Sequence, residues 1–339
     1  MSSDSQAGQS SANSKTIIIG LSGPSSSGKT TLARLLRPIF SADNKIRTFI
    51  IHEDDFYLPD DRIPVARTKK GELVQDWDTI GAIDVDFLSS ALAYVRDHGT
   101  LPPRLRSKED QNEAKDPGVA KELIQTITEE VKGKLNQAGL LKGEREVTIA
   151  FLEGFLLFAP PATENPGHVL RHVHDNIHLH IFLSAPYDTV KSRREARSGY
   201  VTIGPAPTPS AEREDTNERG DEHKGSSSAP VNLEEEDKSE PQNFWTDPPG
   251  YVDDIVWPRY VQDHAWLLVA EDDEAERQSL ADRYAAGSTQ TEEELLRLAG
   301  QAVNLRSDAG VVVAPGKGEM PMSEVLRWAV DEILSYLKV

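Results

Sequence analysis

The sequence predicts an α/β fold, a parallel sheet of about five strands flanked by helices. Three observations predict it. Short runs of β-branched and apolar residues alternate along the chain with amphipathic stretches of helical length. The runs are apolar on both faces, as strands buried between two helical layers must be. Charged residues fall just after the runs, and ligands of such sheets gather beyond the carboxyl ends of the strands.

The elements follow in order. KTIIIGLS (15–22) reads as a buried strand, and KTTLARLLRPIF (29–40) as a helix with Leu32, Leu35, Leu36 and Phe40 on one face. IRTFIIHEDDF (46–56) is a second strand ending in acids, followed by a helix over VDFLSSALAYVRDH (85–98). Residues 99–117 are a Pro- and charge-rich loop before a third helix over 118–139. EVTIAFLEGFLLF (146–158) is the third strand, again ending in an acid, and NIHLHIFLSAP (176–186) the fourth. A helix begins at PYDTVKSRREARSG (186–199), and another over 253–271 is opened by Pro258. GVVVAP (310–315) is the fifth strand, and the last helix, from 321 onward, takes Ser323 as its N-cap.

Composition narrows the function. The 339 residues are enough to bury a full core, and the lack of cysteine removes disulfides, thiolate zinc sites and cysteine nucleophiles. The net charge of −19 is local: residues 203–250 hold 12 acids and 4 bases, and residues 271–294 hold 9 and 2. These acidic stretches read as solvated insertions, 203–242 and 271–309, expected to be disordered or at the surface of a single domain over 16–339. No basic face is left for nucleic acid, so that partner is not expected. No run approaches the roughly 20 apolar residues that span a bilayer, so no membrane association is expected either. The Ser-rich residues 1–15 read as a disordered tail without a signal-peptide core, and the expected location is the cytoplasm, with the nucleus left open.

GPSSSGKT (23–30) matches the phosphate-binding pattern G-x-x-x-x-G-K-[ST], placed between a strand and a helix as its mechanism requires. Gly23 and Gly28 let the backbone curl its N–H groups toward phosphate oxygens, and the helix N-terminus adds positive potential. Lys29 can reach the β- and γ-phosphates, and the Thr30 hydroxyl can bind Mg²⁺. A guanine-reading N-K-x-D and a G-x-G-x-x-G after the first strand are both absent. In HEDDFY (52–57), Asp54 is the candidate base for a substrate hydroxyl and a metal partner. Glu153, closing an apolar strand, is costly as a buried carboxylate unless it meets a cation, which makes it the third catalytic candidate after Asp54 and Lys29. Its alternative duty is to cap the turn at Gly154. Arg193, Arg194 and Arg197 read as a phosphate clamp. Five histidines between 168 and 180 suit either a zinc site or one face of a strand.

Together, IIIGLSGPSSSGKTTLARLL, HEDDFYLPD, QDWD, FLEGFLLF, SRREAR and DPPGYVDDIVWPRY resemble the nicotinamide riboside kinases, a branch of the P-loop kinases close to uridine kinase. The resemblance covers most of 16–270 in patches, with the last strand and helix, and fades across 99–146, 203–242 and 271–309. It implies a P-loop kinase-type sheet and ATP- and Mg²⁺-dependent phosphorylation of the 5′-hydroxyl of nicotinamide riboside, with nicotinic acid riboside as a further acceptor, in salvage toward NAD. By matching motif, Gly23, Pro24, Ser25, Ser26, Ser27, Gly28, Lys29, Thr30 and Thr31 would cradle ATP with Arg193 and Arg197. Thr30 and Asp54 would hold the metal. Asp54, Asp55, Phe56, Tyr57, Trp77, Asp78, Arg194 and Tyr200 would line the nucleoside site, and Lys317 falls where the adenine loop belongs. Tyr57 and Trp77 could stack on the pyridinium, worth ~0.5–2 kcal/mol. Trp77 stands where the family pattern has tyrosine. DTIGAID (78–84) keeps uridine or cytidine kinase open as a reading, as does a non-catalytic nucleotide-binding regulator. Protein partners are left undefined.

Overall fold

The computed structural model describes residues 15–41, 43–103, 105, 107, 116–140, 147–202, 204, 244–269, 304–306 and 308–339. Apart from Lys15, Gly204 and a few residues at 304–309, the expected tail and both expected insertions lie outside the described residues. Along the chain come β1 (Lys15–Ser22), α1 (Lys29–Phe40), β2 (Ile46–His52), β3 (Val65–Arg67), β4 (Leu73–Gln75), α2 (Val85–His98), α3 (Lys121–Gln137) and β5 (Val147–Gly154). Then follow α4 (Arg171–Asn176), β6 (Leu179–Phe182), α5 (Tyr187–Glu195), β7 (Tyr200–Val201), β8 (Phe244–Trp245) and α6 (Trp257–His264). β9 (Leu268–Val269), β10 (Asn304–Leu305), β11 (Val312–Val313) and α7 (Met322–Leu337) close it.

The main sheet has five strands in the order β11-β6-β1-β5-β2, all parallel. Strand alternation divides β1 between two cores. Ile17, Ile19 and Leu21 face α1, α3 and α7, together with Ile149 and Phe151 of β5. Ile18 faces the opposite way, with Ala150, Leu152, Leu88 and Leu92. Each fully buried Ile or Leu contributes about 1.5–3 kcal/mol, so this two-sided burial is what holds the sheet between its helices. Among the described residues, no helix is long and apolar enough to cross a membrane.

Two local expectations change, and the placement of Pro258 holds. The last helix starts at Met322 with Pro321 before it and no side-chain cap, so Ser323 lies inside the helix and is not its N-cap. The third strand stops at Gly154, and FLLF continues as buried loop. Pro258 sits near the start of α6, just after a π-helical turn over Val252–Val256. A proline has no N–H for the carbonyl four residues earlier and would clash with it, and the widened turn accommodates this.

The histidines are structural. The Nδ1 atoms of His178, His174 and His168 accept the backbone N–H groups of Ile18, Ala159 and Leu170 at 3.0, 3.2 and 3.2 Å. The His174 and His180 rings stack 4.1 Å apart. Among the described residues, no three His, Cys, Asp or Glu side chains converge as a metal site. The zinc reading therefore has no geometric support. Burial lowers His168 to about 4 and His180 to about 3, from an ordinary 6.5. Between those values the unfolded chain binds more protons, so these groups withdraw stability as pH falls from 6.5. Thermal midpoints measured across that interval should drop with pH, and a His168→Asn/His180→Asn variant should show a shallower drop.

Candidate functional site

The site forms at the carboxyl ends of β1, β5 and β2. Register places Glu153 beside Leu21 on one side and His52 on the other. The chain leaving β1 turns sharply through Gly23 (φ 147), Ser26 (φ 62) and Gly28 (φ 100) before α1 starts. Gly23 has no alternative, since a Cβ there would lie 2.1 Å from the Leu183 carbonyl oxygen. The Lys29 ammonium folds back to donate to the Pro24 carbonyl at 2.9 Å. Burial lowers the pKa of Lys29, and Glu153 and Asp54 oppose that shift by their charge. The hydroxyls of Ser22, Ser26, Ser27 and Ser184 are buried without a hydrogen-bond partner. Such groups cost about 1–3 kcal/mol each, and Ser26, Ser27 and Ser184 line a cavity where a phosphate could satisfy them.

Glu153 joins the elements electrostatically. Its Oε2 accepts from the Thr30 hydroxyl at 3.0 Å, and its Oε1 accepts from His52 Nδ1 at 2.6 Å. Burial alone would raise this carboxyl. The hydrogen bond and charge of His52, then Lys29 and Thr30, outweigh burial and hold it below the ordinary value. The capping duty weighed for Glu153 belongs to Glu53, whose Oε2 accepts from the N–H groups of Phe155 and Leu156 at 2.6 and 3.0 Å. Burial pushes Glu53 up to about 7 against those two bonds. The clamp fixes the 3₁₀ turn Glu53–Phe56, which carries Asp54, against the end of β5.

Two cavities meet here. One is lined by Asp54, Tyr57, Trp77, Asp78, Glu153, Phe155, Arg194, Tyr200 and Trp245, among others. The other runs along Ser27, Gly28 and Thr31 to Arg193, Pro315, Gly318 and Met320. They share Ser26, Lys29, Thr30 and Arg197. The first is walled by rings: Tyr57 and Trp77 lie edge to face at 5.3 Å, and Trp77 and Trp245 lie 5.8 Å apart.

Several expected residues fall elsewhere. Phe56 is 1% exposed and packs on Phe87 at 5.1 Å in the core, because the 3₁₀ turn points it away from the cavity. Asp55 and Lys317 do not line either cavity, although Pro315 and Gly318 beside Lys317 do. The three arginines do not act as one clamp. Arg193 lines the second cavity and Arg194 the first, and Arg197 borders both. The Arg194 guanidinium holds both oxygens of Asp78 at 2.6 and 2.8 Å and Asp247 at 2.7 Å. Burial disfavours its charge, and these carboxylates override burial and keep it above the ordinary arginine value.

The sequence reading gave no role to His52, Trp245, Asp247, Tyr251 or Arg259. The Tyr251 hydroxyl accepts from Trp77 N–H and donates to the Gln75 carbonyl, both at 3.0 Å. Arg259 holds Asp76 at 2.8 Å. The segment DPPGYVDDIVWPRY thus braces QDWD, the end of β4 and the turn that follows it. Its string of aromatic and charged residues was the available signal.

No protein-family model matches the chain. A nicotinamide riboside kinase of Schizosaccharomyces pombe is 33% identical over 76% of this chain and 83% of its own length. The chain belongs to the nicotinamide riboside kinase family. The Saccharomyces cerevisiae nicotinamide riboside kinase is 28% identical over 76% of this chain and 81% of its own, and mouse nicotinamide riboside kinase 2 is 27% identical over 56% and 72%. The braced QDWD turn and the Glu53 clamp both hold residues that line the first cavity. A Cβ at Gly154 would lie 2.3 Å from Glu53 Oε2. Gly154→Ala should therefore cost about 1–3 kcal/mol in urea unfolding, and should lower kcat by displacing the Asp54 turn.

Proposed function

We propose that this chain transfers the γ-phosphoryl group of ATP to the ribose 5′-hydroxyl of nicotinamide riboside, forming the mononucleotide and ADP in salvage toward NAD. One observation carries the reading. The phosphate loop's cavity and a ring-lined, carboxylate-bearing cavity share Ser26, Lys29, Thr30 and Arg197, so donor and acceptor can meet at one point. The acceptor fits the walls. Its pyridinium is a cation, and Tyr57, Trp77 and Trp245 offer π faces near Asp54 and Asp78. Tyr57 stays a neutral phenol, since burial and Asp54 raise its pKa.

In this reading Asp54 accepts the hydroxyl proton as the O5′–P bond forms and the bond from phosphorus to the β-phosphate oxygen breaks. Lys29 and Arg197 meet the charge on the transferring group, and the unpartnered hydroxyls of Ser26, Ser27 and Ser184, which line the second cavity, help seat the phosphates. The donor set also fits Mg²⁺. Thr30 and Glu153 oxygens already touch at 3.0 Å, and Asp54 lines the same cavity. Hard oxygen donors from few carboxylates, completed by phosphate and water, are what this ion takes. When bound it would neutralise charge between the β- and γ-phosphates.

The aromatic, acidic cavity and the names of the relatives favour the pyridinium nucleoside over uridine and cytidine. The intact Lys29, Asp54 and Glu153 constellation favours an enzyme over a non-catalytic regulator. Turnover compared at equal concentrations of nicotinamide riboside, nicotinic acid riboside, uridine and cytidine should favour the pyridine nucleosides. Asp54→Asn should reduce kcat by roughly 10²–10⁴-fold with little change in KM. A preference for pyrimidine nucleosides, or an Asp54→Asn enzyme of normal kcat, would overturn the proposal.

A further inference from the structure

The nucleoside cavity is bordered by a short two-stranded ladder. β7 and β8 pair antiparallel over only two residues each, Tyr200 with Trp245 and Val201 with Phe244. Tyr200, Val201, Thr202 and Trp245 all line the cavity. A ladder of that length is marginal by itself. One end of this strap is held by guanidinium groups against the Tyr200 ring, Arg194 at 5.3 Å and Arg197 at 5.1 Å. The other end is held by Asp60. The Thr202 hydroxyl donates to Asp60 Oδ2 at 2.6 Å, and Gly204 N–H donates to Asp60 Oδ1 at 3.0 Å. Asp60 N–H in turn donates to the Gly204 carbonyl at 2.9 Å. The Asp60 carbonyl accepts from Gln75 Nε2 at 2.6 Å, two residues before the cavity wall at Trp77.

Asp60 closes the motif HEDDFYLPD, yet it does not line the cavity. We propose that Asp60 is a positioning residue, a latch that holds the β7–β8 strap over the nucleoside cavity and ties it to the segment bearing Asp54 and Tyr57. Both carboxylate oxygens and the backbone amide are committed to the strap. A charge-assisted O–H···O⁻ bond is among the stronger bonds a neutral hydroxyl can make. Removing the carboxylate leaves Thr202 and Gly204 without their partner and lets the strap lift from the bound nucleoside. The ATP cavity includes no residue of the strap.

This inference rests on the nucleoside kinase reading above, and wild-type turnover of nicotinamide riboside checks that reading separately. Steady-state kinetics with both substrates should then be measured for Asp60→Ala, Asp60→Asn, Thr202→Val and the Asp60→Ala/Thr202→Val double variant. Asp60→Ala should raise the nucleoside KM roughly tenfold or more, as expected for lost charge-assisted bonds, with the ATP KM within about twofold. Asp60→Asn should recover much of the loss, because an amide can still pair with Gly204 N–H and the Thr202 hydroxyl. The double variant should be no worse than Asp60→Ala, since the two side chains act through one bond. An unchanged nucleoside KM in an active Asp60→Ala enzyme would overturn the latch. So would equal rises in both KM values with a lowered thermal midpoint, or additive effects in the double variant.

Discussion

The parallel register of β2, β5 and β1 is the constraint on which the site depends. It sets His52 and Leu21 on either side of Glu153 at the carboxyl edge of the sheet. From there the phosphate loop, the Asp54 turn and the loop after Gly154 emerge side by side. A slip of one residue in β5 would turn Glu153 to the opposite face and break its bonds to Thr30 and His52 together. The apolar residues on both faces of the strands make such a slip costly, because each would exchange one core for the other. The packing that stabilises the fold is therefore also what aligns the chemistry.

The same edge concentrates unfavourable burial. Lys29, Glu53, Glu153 and His52 are all buried, and Ser22, Ser27 and Ser184 hide hydroxyls that lack a partner. Buried charges persist only when paired, and here the pairing is mutual: Lys29 with Glu153 and Asp54, Glu153 with His52 and Thr30, and Glu53 with two backbone amides. The serines have no such compensation within the protein. For Ser27 and Ser184, which line the second cavity, phosphate oxygens are the natural remedy, so a bound nucleotide would stabilise this edge as well as react there.

The fold was legible because hydrophobic patterning reports directly on burial. Five apolar runs became the five strands, and VDFLSSALAYVRDH became α2 residue for residue. The phosphate loop was legible because its glycines answer a steric demand that a sequence pattern encodes. What stayed hidden depends on long-range contact. Nothing local separates Glu53 from Asp54, yet one caps the loop after β5 and the other lines the cavity. Phe56 looked like a wall of the site, but the 3₁₀ turn sends it into the core. Arg194 lines the cavity where the sequence placed it, but nothing local foretold its engagement by Asp78 and by Asp247, a residue more than fifty positions away. Trp245 and Tyr251 reach the site only because the chain returns to it after residues 203–243, a closure no spacing rule predicts.

The central claim is that donor and acceptor meet at the shared border of two cavities, with Asp54 on the acceptor side. A crystal structure with nicotinamide riboside and a non-hydrolysable ATP analogue bound together tests it most directly. The account predicts the 5′-hydroxyl about 2.6–3.2 Å from an Asp54 carboxylate oxygen, the terminal phosphate against Lys29, and the pyridinium among Tyr57, Trp77 and Trp245. A nucleoside seated with its 5′-hydroxyl away from Asp54, or with its base outside that ring-lined cavity, would contradict it.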